Sequence, residues 1–125
     1  MGPIREFIEV DRQKCWTLFD SGARNTYVTP RVASLLATTM LPKAVKSALG
    51  GGVKEASRAA LLVARIEGHN VSTNAYVINE IGRDEEGNDI DVLFGALAMQ
   101  QWGIRLVPAE ERLDLTHYPK EFVEF

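Results

Sequence analysis

The sequence contains one cysteine, Cys15, among 125 residues. No disulfide can form within a single chain, and a reducing, cytoplasmic setting is the expectation. Histidine is nearly as scarce. His69 and His117 lie far apart, and neither has a cysteine or carboxylate at ligand spacing. This excludes the common zinc patterns and predicts neither a metal site nor any other cofactor. Long apolar runs are also missing: none approaches the about 20 residues of a membrane-spanning helix, and the N-terminus lacks the charged-then-apolar pattern of a leader. No charge sign dominates, since 14 Lys and Arg face 17 Asp and Glu for a net charge of -3. Neither nucleic acid nor a membrane surface is an expected partner. Internal repeats and low-complexity segments are absent.

What is present belongs to an ordinary globular protein. Apolar residues make up 46% and charged residues 25%, and the length suits one domain with a real core. A single domain over residues 1–125 is expected, with its core at about 4–116 and a C-terminal tail over 117–125.

Strand chemistry dominates the chain. Ile4 to Val10 alternates apolar and charged residues, Asp11 to Lys14 reads as a polar turn, and Cys15 to Phe19 as the return strand. Asn25 to Val28 is a further strand. Thr29-Pro30 has the form of a helix start, with Thr as N-cap and Pro at the first position, predicting a short helix from Pro30 to about Ala37. Lys43 to Leu49 and Val53 to Leu61 flank Gly50-Gly51-Gly52, a permissive hairpin tip that reads equally as a plain surface turn or as a lid. Leu61 to Ile66 and Val71 to Ile78 are strands joined by the turn Glu67 to Asn70, with His69 as a solvated turn residue. Glu80 to Asp89 is an acidic surface loop, read as solubilising. Ile90 to Phe94 is a buried strand ending at Gly95, Ala96 to Trp102 a helix stopped by Gly103, and Ile104 to Val107 and Arg112 to Leu115 short strands. The tail from Tyr118 exposes Phe122, Val123 and Phe125 unless something covers them. Many short strands with one or two short helices predict a mainly β fold of closed or sandwich-like barrel type.

Asp20-Ser21-Gly22 stands out in this series. The apolar run Cys15 to Phe19 delivers a carboxylate, a small hydroxyl residue and a glycine into a tight loop. Taken alone, Asp-Ser-Gly is an ordinary turn, since all three residue types favour turns. A nucleophilic Ser21 lacks both a Gly-x-Ser-x-Gly setting and a histidine partner. Cys15, within a hydrophobic strand, reads as a buried small apolar residue.

The order of these pieces resembles the retropepsin family, the single-domain aspartic proteases of retroviruses and their relatives in bacteria, archaea and eukaryotes. Asp20-Ser21-Gly22-Ala23 is similar to the family's Asp-Thr/Ser-Gly-Ala motif. Ala48-Leu49-Gly50-Gly51-Gly52-Val53 stands where the family has its flap. Ile66-Glu67-Gly68-His69 is similar to the following turn, and Asp91-Val92-Leu93-Phe94-Gly95 to the hydrophobic element before the last helix. The likeness spans about residues 4 to 116 and looks closest to the bacterial or archaeal members.

The resemblance implies a small closed β-barrel working as a twofold homodimer, an aspartic endopeptidase with Asp20 of each copy as general acid and base. Hydrolysis without a metal or nucleophilic side chain needs an activated water and a proton donor, and two adjoining carboxylates sharing one proton supply both. The sequence has one such motif, so the second must come from another copy. The resemblance further implies loop support from Ser21, Gly22 and Ala23, and a flap of Leu49, Gly50, Gly51, Gly52 and Val53 over a peptide bound in extended form. Arg24, Asn25, Val28 and Leu97 are the expected cleft residues, with Val53 flanking. Retroviral members carry an acidic residue two positions past the motif glycine and an arginine after the late glycine; here Arg24 and Ala96 stand there, and that ion pair is absent. The departure motivates an alternative reading, a catalytically silent module for peptide binding or dimerisation.

Overall fold

The computed structural model describes residues 3–119. The strands are β1 (Ile4–Val10), β2 (Gln13–Phe19), β3 (Tyr27–Val28), β4 (Thr38–Leu49), β5 (Gly52–Ile66), β6 (His69–Val77), β7 (Val92–Phe94), β8 (Arg105–Val107) and β9 (Arg112–Asp114). Two short helices, α1 (Pro30–Ala33) and α2 (Ala96–Gln101), and one 3-10 turn at Pro108–Glu110 complete the described chain. Seven strands form one sheet in the order β1-β2-β7-β3-β6-β5-β4, and β1 returns to meet β5 at Glu9↔Arg65. The fold is mainly β, as the sequence predicts. β8 and β9 form a separate two-stranded ribbon.

Tight two-residue turns set the strand registers. Val10 pairs Gln13 across Asp11-Arg12, and Ile66 pairs His69 across Glu67-Gly68. All four turn residues have positive φ, the geometry whose twist matches a hairpin. The turns are therefore shorter than the sequence suggests. Gln13, Lys14, His69 and Asn70 look like turn residues because they are polar, yet all four lie within strands. His69 is not simply solvated: its ring lies 4.5 Å from that of Tyr118, and its Nδ1 is 3.0 Å from the Glu67 carbonyl oxygen.

β5 is one continuous strand where the sequence reads as two. Ala56, Ala60, Leu62, Ala64 and Ile66 keep an unbroken inward alternation, so nothing interrupts it at Leu61. Its first half pairs β4 and its second half pairs β6. β4 begins at Thr38, earlier than expected, and the register shifts between Met40 and Val45. Pro42 lies in that bulge, where the missing N–H costs no ladder bond. α1 is conversely shorter than predicted, because Ala37 already accepts the Leu61 N–H (3.0 Å) and draws the chain into the sheet. Thr29 occupies the N-cap position but makes no side-chain cap bond.

Most buried side chains form one cluster, with Phe19, Phe94, Ile8, Leu62 and Val92 among its members. Cys15 is fully buried within it, and that burial pushes its thiol pKa above the ordinary value. A smaller cluster of Ala23, Tyr27, Ala56, Ile78 and Leu93 lies beside the β4–β5 hairpin. The open edge of β6 is closed by side chains: Trp102 Nε1 donates to the Ser72 carbonyl (2.8 Å) and Tyr118 Oη to that of Asn70. The two rings stack 5.9 Å apart, satisfying backbone groups that no strand reaches. Phe122, Val123 and Phe125 lie outside the described residues. The acidic loop is an ordered element, not merely a solubilising one. Asp84 accepts the N–H groups of Glu86 (2.9 Å) and Asn88 (2.8 Å) and the Trp16 indole N–H (2.9 Å).

Glu6 lies in the inward row of β1 between Ile4 and Ile8. Burial, reinforced by the neighbouring Glu67 carboxylate, raises its pKa from 4.5 to about 7. The folded state then holds a proton that the unfolded chain releases between these values, so stability falls as pH rises from about 4.5 to 7 and levels off above. Urea midpoints measured across that range should fall for the wild type and fall less for Glu6→Gln.

Candidate active site

β2 and β7 run parallel side by side, with Phe19 opposite Phe94 and their rings 5.3 Å apart. Both residues are fully buried, so the ends of the two strands share one anchor. The Asp20 N–H donates to the Phe94 carbonyl (3.1 Å), placing a half-buried carboxylate at the rim of the core. Its Oδ1 accepts the Gly22 N–H (2.8 Å), and its carbonyl accepts the Ala23 N–H (3.2 Å). Asp20-Ser21-Gly22 is therefore a turn, as its composition says, and the turn aims the carboxylate.

A second segment crosses this loop. Gly95 follows β7 and packs so closely on residues 23–25 that an added Cβ would lie 2.1 Å from the Asn25 carbonyl oxygen and 2.9 Å from that of Ala23. Only glycine fits. The Gly95 N–H donates to Oγ1 of buried Thr26 (3.1 Å), the Ala96 N–H to the Ala23 carbonyl (2.7 Å) and the Leu97 N–H to the Arg24 carbonyl (3.1 Å). Backbone bonds thus join residues 23 and 24 to residues 96 and 97, next to the two positions, Arg24 and Ala96, singled out in the sequence. Gly22 is far less confined, since a Cβ there would meet only Asp20 Oδ1, at 3.1 Å.

The β4–β5 hairpin forms the second wall. Gly50 and Gly51 make its turn with φ of +57° and +81°, and Gly52 already belongs to β5. Tyr27 Oη donates to Ser47 Oγ (2.9 Å), and Leu49 packs against the small cluster. Between hairpin and loop lies a cavity of ≈ 340 Å³ lined by Asp20, Gly22, Ala23, Arg24, Tyr27 and residues 47–50. On its other side Asp20 borders a cavity of ≈ 670 Å³ with Ser21, Ala96, Met99, Ile104 and Leu106. Ser21 is exposed.

Of the expected cleft residues, only Arg24 lines a cavity with Asp20. Val28 is fully buried in the main core, because both faces of the short central β3 are covered. Asn25 and Leu97 line a separate cavity of ≈ 740 Å³ with Leu61 and Tyr76, which Asp20 does not border. Val53 is 73% exposed and lines neither Asp20 cavity. Three contributors escaped the sequence reading: Thr26, Tyr27 and Ser47. Their strand chemistry was visible, but not which polar group each would meet. Among the described residues no three His, Cys, Asp or Glu come together.

The Gly95 contact sets a clear expectation. Gly95→Ala should lose about 1–3 kcal/mol from overpacking against a backbone that cannot yield, whereas Arg24→Gln, tied through its carbonyl, should keep the wild-type urea midpoint.

The sequence model of the aspartyl protease family matches residues 8–97. No curated protein sequence matches the chain. Among solved structures, the retroviral protease-like domain of Ddi1 from Leishmania major is similar, with a TM-score of 0.65 and 17% identity over 93% of this chain and 90% of that one. EIAV protease, solved with the inhibitor HBY-793, is similar with a TM-score of 0.60 and 14% identity, over 85% of this chain and 93% of that one. The family match includes the Asp20 loop, the hairpin and β7 through Gly95, and the chain accordingly belongs to the aspartyl protease family, with a retroviral protease-like fold.

Proposed function

We propose that this protein is an aspartic endopeptidase acting as a twofold homodimer, with Asp20 of each copy facing its mate. The carrying observation is that Asp20 is held at the rim of the core by backbone bonds and borders two cavities, neither of which contains a second carboxylate. Half of an acid–base pair is present, in a setting that a second copy would complete. Two adjoining carboxylates cannot both ionise, so the pair holds one proton. The ionised member takes a proton from water as the water attacks the peptide carbonyl carbon, and the protonated member donates to the carbonyl oxygen. The resulting tetrahedral intermediate collapses as the carboxyl that took the water's proton gives it to the amide nitrogen, the carbon–nitrogen bond breaks, and the hydroxyl proton returns to the other carboxylate.

Ser21, exposed in the single chain, hydrogen-bonds across the dimer to the partner's loop, while Gly22 and Ala23 allow that loop and the substrate to come close. Leu49 to Val53 act as the flap over an extended peptide. The positive φ of Gly50 and Gly51 gives the tip freedom to move, and the Tyr27–Ser47 bond latches it. The return of β1 to β5 at Glu9↔Arg65 supports a sheet closed into a small barrel, and the buried, unpaired Cys15 suits a reducing cytoplasm.

Asp20→Asn should keep the dimer by analytical ultracentrifugation and lower peptide cleavage about a hundredfold or more, as loss of general acid–base catalysis does. Full activity in that variant would overturn the proposal. A wild type that stays monomeric and cleaves no peptide between pH 4 and 7 would favour the non-catalytic module, which the departures at Arg24 and Ala96 motivate.

A further inference from the structure

We infer that Arg24 selects a carboxylate on the bound peptide, making acidic peptides the substrate class. This rests on the proposed peptide-binding role of the Asp20 cavity. Among the residues lining that cavity the only charged side chains are Asp20 and Arg24; the hairpin side offers Ser47, Ala48, Leu49 and Gly50. Arg24 is exposed, and among the described residues its guanidinium has no ion pair. Arg5, Arg31, Arg83 and Arg112 each hold a carboxylate; Arg12, Arg58, Arg65 and Arg105 likewise have no ion pair among the described residues, and what sets Arg24 apart is its place beside Asp20 in the cavity. Arg24 is also well placed to act on a ligand. The Leu97 N–H fixes its carbonyl at 3.1 Å, so its position relative to Asp20 is set by backbone while its side chain stays free.

Guanidinium presents a planar fork of donors and remains charged at every working pH, which suits two-point capture of a carboxylate. The cavity across Asp20 is consistent with this, since Arg105 is its only other charged lining residue. The lining of the two cavities thus sets one cation on each side of Asp20, and the proposed Asp20 pair, holding one proton, opposes an acidic ligand with a single negative charge. The carboxylate captured is either a Glu or Asp side chain or the peptide's own C-terminus. Both present the same two oxygens, and the test separates them.

The decisive measurement is binding to Asp20→Asn, which cannot consume the ligand. The probes are fluorescein-labelled octapeptides with glutamate scanned through each position against glutamine, each made as free acid and as C-terminal amide. At one position glutamate should bind about tenfold tighter than glutamine, as a charge-assisted pair does. That preference should vanish in Asp20→Asn/Arg24→Gln with the dimer unchanged by ultracentrifugation. A preference that follows the free acid, not the scanned position, identifies the C-terminus as the source. Equal affinities throughout, no binding at all, a preference retained without Arg24, or a dimer lost with it would each overturn the inference. Cleavage by the wild type is scored separately: its absence alongside Arg24-dependent binding would count against the peptidase and leave the recognition intact.

Discussion

The close crossing of Gly95 over the Asn25 carbonyl is the constraint on which the site depends. A backbone contact this tight leaves no room for a side chain, and three N–H groups of the β7–α2 connection reach across it to Thr26, Ala23 and Arg24. The loop carrying Asp20 is thereby held from below by strand pairing and from the side by backbone bonds. Such bonds have little conformational freedom to lose and are independent of pH and salt, unlike a surface ion pair, which contributes little and is screened. The bracing of this loop lies largely in the main chain, and among the described residues the Arg24 side chain holds no ion pair.

The rest of the fold positions this crossing. β7 is only three residues long, but it lies between β2 and β3 and is buried on every side. Its end is therefore fixed by strand pairing on both sides. The hairpin is the opposite. β4 and the first half of β5 pair with each other beyond the body of the sheet, much of their surface is exposed, and the turn consists of two glycines. Few buried contacts and a permissive turn place it at the low-stability end of the structure. The Tyr27–Ser47 bond and the Leu49 contact are what hold it against the loop. A carboxylate fixed at the rim of the core and a hairpin of low local stability across the cavity from it suit the flap role proposed for the hairpin.

Polar residues outside the site show the same economy. Trp102 and Tyr118 cap the open edge of β6 with side-chain donors, so a sheet edge that would otherwise invite another strand is occupied by the chain's own C-terminal segment. Asp84 collects four donors, two of them from Asn88, and turns an acidic loop into a fixed lobe against Trp16. Glu6 is the exception, a carboxyl in an inward row with another carboxylate beside it, and its pKa rises accordingly.

Local pattern was enough for much of this. Alternation located β1, β2, the inward face of β5 and β6, and the apolar run into Gly95 located β7, because burial on one face or two leaves a period in the sequence. The Asp-Ser-Gly turn was legible as a turn for the same local reason, and its resemblance to a family motif singled out Asp20. What the chain could not show by itself were distances between residues remote in sequence. The two-residue turns hid behind polar strand ends, and Pro42 hid in a bulge that only a partner strand defines. Val28 looked like a cleft residue because it follows the motif loop, yet the sheet covers it on both faces. Thr26, Tyr27 and Ser47 carried no sign that their hydroxyls would meet Gly95 or each other. Sequence determined which residues are apolar, which can turn, and where a carboxylate leaves a strand. Tertiary structure decided which backbone crosses which, and that crossing requires glycine at 95, holds Asp20 in place and leaves Arg24 free.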